Sequence, residues 1–432
     1  MARHGKIVNI ENTLAKRVII LLAATSALGP TAMQILLPAI PVIKETFAVS
    51  AEVAQLTLSL SMLAIAIGTL TYGPLSDQFG RRPIMLLGLC ITIIGSLFCY
   101  FANTIEMLIL GRIIQAFGGA VGLVLARAIV RDVYGPEQAA RVIATLVMVM
   151  VVMPMLSPAL GGELMHRFGW ESVFLVMAVL SLGILLVLRS SLVESLAEPV
   201  PFDGVGAMLG NFAHLFRSRA FRGYAFCVSF VSVVFFAFIS AAPEIMITVL
   251  NRPPTEYGYY FIMVPLGFMV GNYIARHFGR TLGINRLIMI GASTCIVGIV
   301  SAIVLQLLGF HHPLALFIPV AIAVLGNGIT LPNAQAAAIN EFPRFAGTAS
   351  GLTGFLQMAF SAIAAQLVAV IFNGTVYPLL LMMLAASIAS LRPSSNNLFS
   401  ASFSDASRVK LLSSPALMKP LQGVEAMRKI SG

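Results

Sequence analysis

The chain has 432 residues, of which 58% are hydrophobic and only 10% are charged, and its mean hydropathy is +0.94. A soluble protein carries about 25% charged residues, so this chain has too little charge to cover a water-facing surface, and we expect lipid around most of it. The net charge of +10 does not indicate a nucleic-acid partner, because the basic residues lie between apolar segments. The four cysteines are far apart within apolar runs, which argues against a disulfide framework or a metal site.

Twelve apolar segments are long enough to cross a membrane as helices, which takes about 20 residues each. The first follows basic residues but is too long for the apolar core of a signal peptide, and the last is the shortest. We therefore predict an all-α membrane protein with spans at 18–40, 52–73, 83–102, 106–128, 142–164, 170–189, 222–243, 257–276, 285–308, 313–332, 347–372 and 375–391.

The positive charges test this count, since the cytoplasmic ends of spans are rich in Lys and Arg. With both termini in the cytoplasm, 23 of the 27 lysines and arginines fall on the inner side. The exceptions are Lys44, Arg112, Arg167 and Arg252. The pattern predicts a multi-pass protein of the bacterial inner membrane.

The segment 190–221 is the longest internal connection and separates two six-helix halves, 18–189 and 222–391. Its apolar residues recur at helical spacing and are followed by arginines, which is typical of a helix on the membrane surface or of an ordinary linker helix. We assign 1–17 to a cytoplasmic N-terminus. The Ser-rich, basic tail 392–432 is predicted to be disordered in the cytoplasm.

A short repeated motif supports the division of the chain into two halves. Phe79-Gly80-Arg81 is repeated as Phe278-Gly279-Arg280, and both stretches fall between the second and third span of their half. Internal repeats of this kind are typical of transporter folds, so the halves are predicted to be pseudo-symmetric.

The connection between spans 2 and 3 carries the strongest local motif, which has the features of a hinged joint. Gly73 and Gly80 allow close backbone approach and unusual dihedral angles. Asp77 lies near Arg81 and Arg82, with which it can form charge-assisted hydrogen bonds that are made and broken. The alternative is a generic basic loop on the inner side.

Arg112 is a charge within the fourth span, where burial costs roughly 2.5–3.5 kcal/mol even on a lenient scale, so it is a functional candidate. The alternative is an arginine whose side chain reaches the outer interface. In the fifth span, Pro154 and Pro158 predict a kink, and Gly161 and Gly162 would let a neighbouring helix approach. A kink that serves packing alone remains the alternative there.

These motifs resemble those of the major facilitator superfamily. The stretch 73–83 is similar to the family's loop 2–3 signature, whose acid and arginines latch the two halves in the outward-open state. The surroundings of Arg112 resemble its helix 4 motif, with Ala116 in place of the usual glycine, and the fifth span resembles a motif of antiporters.

Over residues 18–391 the chain looks like the bicyclomycin/chloramphenicol-resistance (Bcr/CflA) branch of multidrug efflux transporters. The resemblance implies efflux of drugs or metabolites driven by inward proton flow. It rests on the stretches 37–41, 72–77, 126–132, 331–334 and 346–351. The stretch 126–132 belongs to the connection between the fourth and fifth spans and contains Arg127, Arg131 and Asp132.

Two positions bear on proton coupling. Members of that branch carry an aspartate where this chain has Gln34, which can bind a substrate but cannot titrate. Glu244, at the outer end of the seventh span, is then the best remaining acid near the cavity, with a solvated interfacial carboxylate as the alternative. Asn327 lies between two glycines in the tenth span and either lines a translocation cavity or joins helices.

The sequence thus predicts a secondary active transporter that exports small amphipathic molecules by alternating access with proton antiport, as a monomer and without a cofactor. An uncoupled facilitator or an importer of the same fold is the alternative, supported by Gln34. An intramembrane enzyme is disfavoured because no nucleophile–base pair, metal-binding cluster or nucleotide-binding loop is evident. A membrane sensor would have little ligand-binding area in the short external loops.

Overall fold

The computed structural model describes residues 17–196, 204–342 and 345–391, and in these ranges the chain is helical apart from short connections. The tail 392–432 and almost all of the N-terminal segment 1–17 lie outside the described residues. In chain order the helices are α1 (Arg17–Gln34), α2 (Ile40–Thr46), α3 (Ala51–Phe79), α4 (Arg81–Tyr100), α5 (Ile105–Phe168), α6 (Ser172–Ser191), α7 (Gly204–Arg217), α8 (Arg219–Thr248), α9 (Pro254–Phe261), α10 (Met263–Leu282), α11 (Ile284–Leu307), α12 (Pro313–Asn340), α13 (Ala346–Ile371) and α14 (Tyr377–Leu391).

The predicted spans coincide with these helices. In the described ranges eleven segments are long and apolar enough to cross a membrane, and α14 is a shorter apolar helix at the position of the twelfth predicted span. The first span is interrupted, because a 3₁₀ turn at Leu37–Ala39 separates α1 from α2. The eighth is divided between α9 and α10. The fold is therefore the predicted all-α membrane architecture, with two of its spans broken.

Helix α5 carries both the fourth and the fifth span. The side chain of Arg112 reaches the carbonyl of Ala32, and Gly161 lies against the carbonyl of Ile35, so both positions are level with the end of α1. A straight helix would separate them by roughly 70 Å at 1.5 Å per residue. The chain therefore reverses between the apolar stretches Ile105–Tyr134 and Met148–Phe168.

Glycines in a backbone conformation that L side chains rarely adopt separate consecutive helices. Gly80 has φ +100° between α3 and α4, and Gly283 has φ +75° between α10 and α11. The repeated motif predicted that Gly279 is the counterpart of Gly80 in the second half. This prediction is wrong, because Gly279 lies inside α10 and the break comes four residues later, at Gly283. Both breaks separate the second span from the third in their half. The order of the helices is therefore repeated in the two halves, but the Phe-Gly-Arg motif does not mark the same position in each.

The halves are packed separately and meet along a few helices. In the first half α1, α3 and α4 pack on α5, and in the second α8, α10 and α11 pack on α12. The halves touch mainly where α3 packs on α13 and where α9 packs on α5. We call the end of the bundle where α3 meets α4 the arginine-rich end, and the end where α2 meets the start of α3 the far end.

Helix α7, in the predicted connection 190–221, docks on the second half. Leu215 is buried against Phe221, and Phe342 packs on the same cluster. Nearer its start, Leu209 is 56% exposed. The helix is thus a linker packed through its last turns, and its contact with the membrane surface stays a prediction.

Candidate functional site

The motif between α3 and α4 is organised by Glu194, which follows α6. Its carboxylate accepts hydrogen bonds from the backbone N–H groups of Arg81 (2.9 Å) and Arg82 (3.0 Å), the first two residues of α4. It also accepts from the N–H groups of Ser195 and Leu196, both at 3.0 Å. A carboxylate at a helix N-terminus satisfies unpaired donors and opposes the positive end of the helix dipole. Glu194 therefore fastens the end of the sixth span to the start of α4.

Gly80 is required at this contact for two reasons. Its dihedral angles, φ +100° and ψ 150°, fall in a region that only glycine occupies readily. A Cβ atom at this position would also stand 2.6 Å from Oε2 of Glu194. The prediction that this glycine permits an unusual conformation and a close approach is confirmed.

Gly73, by contrast, shows neither property. It lies inside α3, has no left-handed φ, and a Cβ atom added there would meet nothing within 4 Å. The expectation that Gly73 provides a hinge or a close contact is therefore wrong for this conformation. Helix α3 simply continues past the predicted end of its span, because the polar residues that follow are compatible with a helix that leaves the lipid.

The guanidinium of Arg81 is the centre of a network at the arginine-rich end. Its Nη1 lies 2.6 Å from Oδ1 of Asp77 and also donates to Oγ of Ser76, and its Nε donates to Oδ2 of Asp132 at 3.0 Å. The side chain is only 6% exposed, whereas Asp77 is 44% exposed. Arg82 donates from Nη2 to the carbonyl of Arg189 at the end of α6. All these partners belong to the first half.

The residues assigned to the connection between spans 4 and 5 lie on α5 itself. Arg127, Arg131 and Asp132 all precede the end of the apolar stretch Ile105–Tyr134. Arg127 and Arg131 are exposed. Asp132 is the member of this group that the structure brings to the network around Arg81, where it accepts a hydrogen bond from Nε.

Arg112 is buried, with 1% of its surface exposed, so an arginine that reaches the outer interface is excluded. Its Nη1 donates to Oε1 of Gln115 (2.5 Å) and to the carbonyl of Ala32 (3.1 Å), and its Nε donates to the carbonyl of Thr57 (3.4 Å). Gln115 in turn donates to Oγ of Ser96. The side chain thus joins α1, α3 and α5.

The position of the guanidinium explains how α1 can end within the span. The carbonyl of Ala32 belongs to the last turn of α1, where helical carbonyls lose their partners and where a cation is favoured by the helix dipole. No carboxylate of the described residues forms an ion pair with Arg112. Its Nη2 has no hydrogen-bond partner, so both N–H groups of this nitrogen remain unused.

Gln34 is the last residue of α1 and lies directly at the break in the first span. It is 6% exposed, and its Oε1 has no hydrogen-bond partner. Thr31, one turn earlier, also has an unpartnered hydroxyl. Buried polar atoms are rarely left unsatisfied, so this interruption has polar capacity that the protein itself does not use.

The prolines and glycines of the fifth span face the first and eighth spans. Pro154, Pro158 and Gly162 are buried. Gly161 packs against the carbonyl of Ile35, and Gly258 of α9 packs on the backbone at Pro158. Close helix approach at this motif is confirmed for Gly161, while the kink stays a prediction.

Glu244 is paired with Lys44 at the far end. Lys44 Nζ lies 2.7 Å from Oε1 of Glu244, and the side chains are 30% and 17% exposed. A fully solvated carboxylate is excluded. Because Lys44 belongs to α2 and Glu244 to α8, the pair joins the two halves.

Asn327 holds two helices of the second half together. It is 3% exposed and donates from Nδ2 to the carbonyl of Val231 on α8, while its Oδ1 has no partner. The flanking Gly326 and Gly328 lie against the backbones of α11 and α10. In this conformation Asn327 joins helices, which was one of the two predicted alternatives.

Sequence reasoning missed Glu194 and the partner of Glu244. Glu194 stands in a connection that has no periodic pattern, and nothing local marks it as the partner of Arg81. Lys44 was recognised only as an exception to the charge distribution. That exception was the available signal, because a lysine on the outer side of a membrane protein calls for a nearby acid.

A family model described as Major Facilitator Superfamily matches residues 22–365. An uncharacterized MFS-type transporter of Bacillus subtilis, YdgK, is 31% identical over 86% of this chain and 93% of its own length. The bicyclomycin resistance protein homolog of Haemophilus influenzae is 30% identical over 86% and 94% of the two chains. Multidrug resistance protein D of Escherichia coli is 27% identical over 82% and 88%.

Solved structures show the same fold at low identity. A bacterial homolog of the human lysosomal transporter Spinster, in an inward-facing conformation, has a TM-score of 0.68 with 16% identity and covers 89% of this chain and 96% of its own. The peptide transporter POT has a TM-score of 0.71 with 15% identity, covering 88% and 94%. These likenesses establish the architecture and nothing about the cargo.

We predict opposite effects of alanine at the two glycines of the motif. Gly80→Ala should lower the free energy of unfolding by about 1–3 kcal/mol, because its backbone conformation is costly for any residue with a Cβ. Gly73→Ala, in open space inside a helix, should raise it by about 0.5–1 kcal/mol. Thermal unfolding of the purified protein in detergent measures both, and equal effects at the two positions would contradict the geometry at Glu194.

Proposed function

The chain belongs to the major facilitator superfamily and to its Bcr/CflA branch, and from this we propose that it exports small amphipathic molecules across the bacterial inner membrane. The observation that carries the proposal is the match over almost the whole length to a bicyclomycin resistance protein homolog and to multidrug resistance proteins. The family is one of transporters rather than enzymes, and the hydrophobic composition agrees with it.

The charge distribution supports an orientation in which the arginine-rich end faces the cytoplasm. Arg81, Arg82 and Arg189 lie there, and cytoplasmic ends are enriched in such residues. Both termini would then be cytoplasmic. The far end, with Lys44 and Glu244, would face the periplasm.

Alternating access explains why the latch and the ion pair lie at opposite ends. In this conformation Arg81 is held by acids of its own half, while Lys44 and Glu244 join the halves at the far end. A bundle joined at the periplasmic end is in an inward-facing state, ready to take cargo from the cytoplasm. For the outward-facing state, we propose that the halves close at the arginine-rich end and that Asp77 and Arg81 exchange some of their partners.

Two proposals remain for the driving force of transport. Antiport of protons is what the resemblance to the Bcr/CflA branch implies, and the relatives named for multidrug resistance agree with export. An uncoupled facilitator or importer is favoured by one observation, since Gln34 cannot titrate and Glu244 is engaged with Lys44.

Transport assays separate these proposals. We expect the chain, expressed in a bacterium deleted for its efflux pumps, to raise resistance to at least one of a panel of antibiotics and other toxic amphiphiles. Inverted vesicles should accumulate that compound faster when their interior is acidified. A compound that crosses at the same rate with and without the pH gradient would support the facilitator, and net uptake by whole cells would support the importer.

We expect Asp77→Asn and Arg81→Ala to abolish export while the protein remains in the membrane. The physical reason is that Arg81 would lose one carboxylate partner in the first variant, and its site would lose the cation in the second. Glu163→Gln is a matched control, because it also breaks an i,i+4 pair with an arginine, at the other end of the bundle. Resistance assays and membrane immunoblots measure the two properties, and normal export by both latch variants would refute the assignment.

At Arg112 we predict that Arg112→Ala loses export of at least some substrates and that Arg112→Met, which fills the space without charge, does so as well. The carbonyls of Ala32 and Thr57 would lose a donor, at about 1–3 kcal/mol for each buried group left unpaired. Export is compared with thermal stability for each variant. If Arg112→Met folds normally and exports every substrate, the charge has no role in transport.

A further inference from the structure

Arg112 is a buried charge without a counter-ion. Among the residues that the structure describes, two charged side chains are buried, Arg81 and Arg112. Arg81 is paired with two carboxylates, whereas Arg112 donates to two backbone carbonyls and one amide oxygen, all of them neutral. Burial of a charge is costly unless an opposite charge accompanies it. The described part of the first half therefore contains one uncompensated positive charge.

Other groups around the guanidinium offset this charge only in part. The ring of Phe174 lies with its centroid 6.0 Å from Cζ of Arg112, which allows a weak cation–π contact. The thiol of Cys99 also lies close enough to act on the charge, but an ordinary thiol is neutral at pH 7. Neither group is an anion, so a full balancing charge has to come with a bound molecule.

Three polar atoms without a hydrogen-bond partner occur together where α1 ends. They are Nη2 of Arg112, Oγ1 of Thr31 and Oε1 of Gln34. Thr31 and Gln34 share one face of α1 because they are three residues apart. Ala32, whose carbonyl binds the guanidinium at 3.1 Å, lies between them in the sequence. A hydroxyl and an amide can both donate to an anionic oxygen, so the end of α1 offers hydrogen-bond donors beside a cation.

We propose that this site selects the acidic group of the cargo, and that the exported molecules are amphipathic organic anions such as aromatic sulfonates and carboxylates. The inference rests on the proposed export function and names the chemical class that is exported. Nη2 of Arg112 is covered in this conformation, but a charge shielded from water acts across more than one layer of atoms. The acidic group therefore needs to reach only Thr31 and Gln34, and a cation at the same place would be repelled.

An anionic cargo also supplies a driving force. The cytoplasm is electrically negative relative to the outside, so an anion that crosses alone is driven outward by the membrane potential. The concentration ratio that this potential can maintain is about 50-fold for one charge and 100 mV. Export then requires no titrating side chain in the first span, which agrees with the presence of Gln34 at the end of α1.

The test compares three probes that share one aromatic body. They are a labelled naphthalenesulfonate, its uncharged sulfonamide and a naphthylmethyl-trimethylammonium ion. Inverted membrane vesicles that contain the full chain receive an interior-positive potential from a potassium gradient and valinomycin, with equal pH on both sides. A sulfonate stays ionised at every pH used, so a proton gradient cannot act on the probe itself. Accumulation of each probe is measured with the potential, without it, and in vesicles that lack the protein.

We expect the sulfonate to accumulate toward the limit of about 50-fold at 100 mV and to accumulate little without the potential. The sulfonamide should show no dependence on the potential, and the ammonium ion should not be carried. This comparison uses the unchanged chain, so it does not depend on the folding of any variant.

Two substitutions at one position test the role of Arg112. Gln34→Asp places a carboxylate at the end of α1, where it can neutralise the guanidinium, and accumulation of the sulfonate should fall to the level of vesicles without the protein. Gln34→Asn is the matched control, because its side chain has the same size as that of aspartate and no charge. It should accumulate the sulfonate as the parent does. Thermal unfolding in detergent checks that both variants fold.

The inference and the proposed export function fail separately. Equal transport of the three probes, or sulfonate uptake that ignores the potential, would overturn the anionic class even if cells gain resistance to drugs. The absence of sulfonate transport by the parent would overturn it as well. A folded Gln34→Asp variant that accumulates the sulfonate like the parent would contradict the role of Arg112. The resistance assay in cells decides the export function by itself, whichever result the vesicles give.

Discussion

The hydrocarbon core of a bilayer offers no hydrogen-bond acceptor to a guanidinium, so the acceptors of the buried Arg112 come from the protein, and three helices of the first half supply them. The last turn of α1 supplies the carbonyl of Ala32, α3 supplies that of Thr57, and α5 supplies Gln115. The interruption of the first span is what releases the Ala32 carbonyl from helical bonding. Gln34 then lies at the break with an unpartnered oxygen, so the interruption that supplies an acceptor for the charge also leaves one acceptor unused.

The two ends of the bundle use charge in opposite ways. At the arginine-rich end Arg81 is paired with Asp77 and Asp132 of its own half, so these ion pairs do not join the halves. At the far end Lys44 and Glu244 belong to different halves, so their attraction opposes separation. One set of ion pairs is internal to a half and the other is shared between the halves. A rocking motion would have to reverse that relation.

Hydropathy was sufficient to predict the spans, because the solvent imposes about 20 apolar residues on each of them. The motif residues Asp77 and Arg81 were also found, since their contact is local, four residues apart on the helix. The partners that come from far along the chain were not. Glu194 is more than a hundred residues from Gly80, and Glu244 is two hundred from Lys44, and no periodic pattern relates positions across such distances. Gly73 shows the converse error, since its place in a motif suggested a contact that the helix packing does not make.

The two halves form hydrogen bonds between equivalent pairs of helices, although the side chains that form them differ. Arg112 on the fourth span donates to a carbonyl of the first, and Asn327 on the tenth span donates to a carbonyl of the seventh. These are equivalent spans of the two halves, and each side chain keeps one unpartnered polar atom. One tie carries a permanent charge and the other is neutral. The symmetric scaffold therefore holds a buried charge at this place in its first half and a neutral amide at the equivalent place in its second.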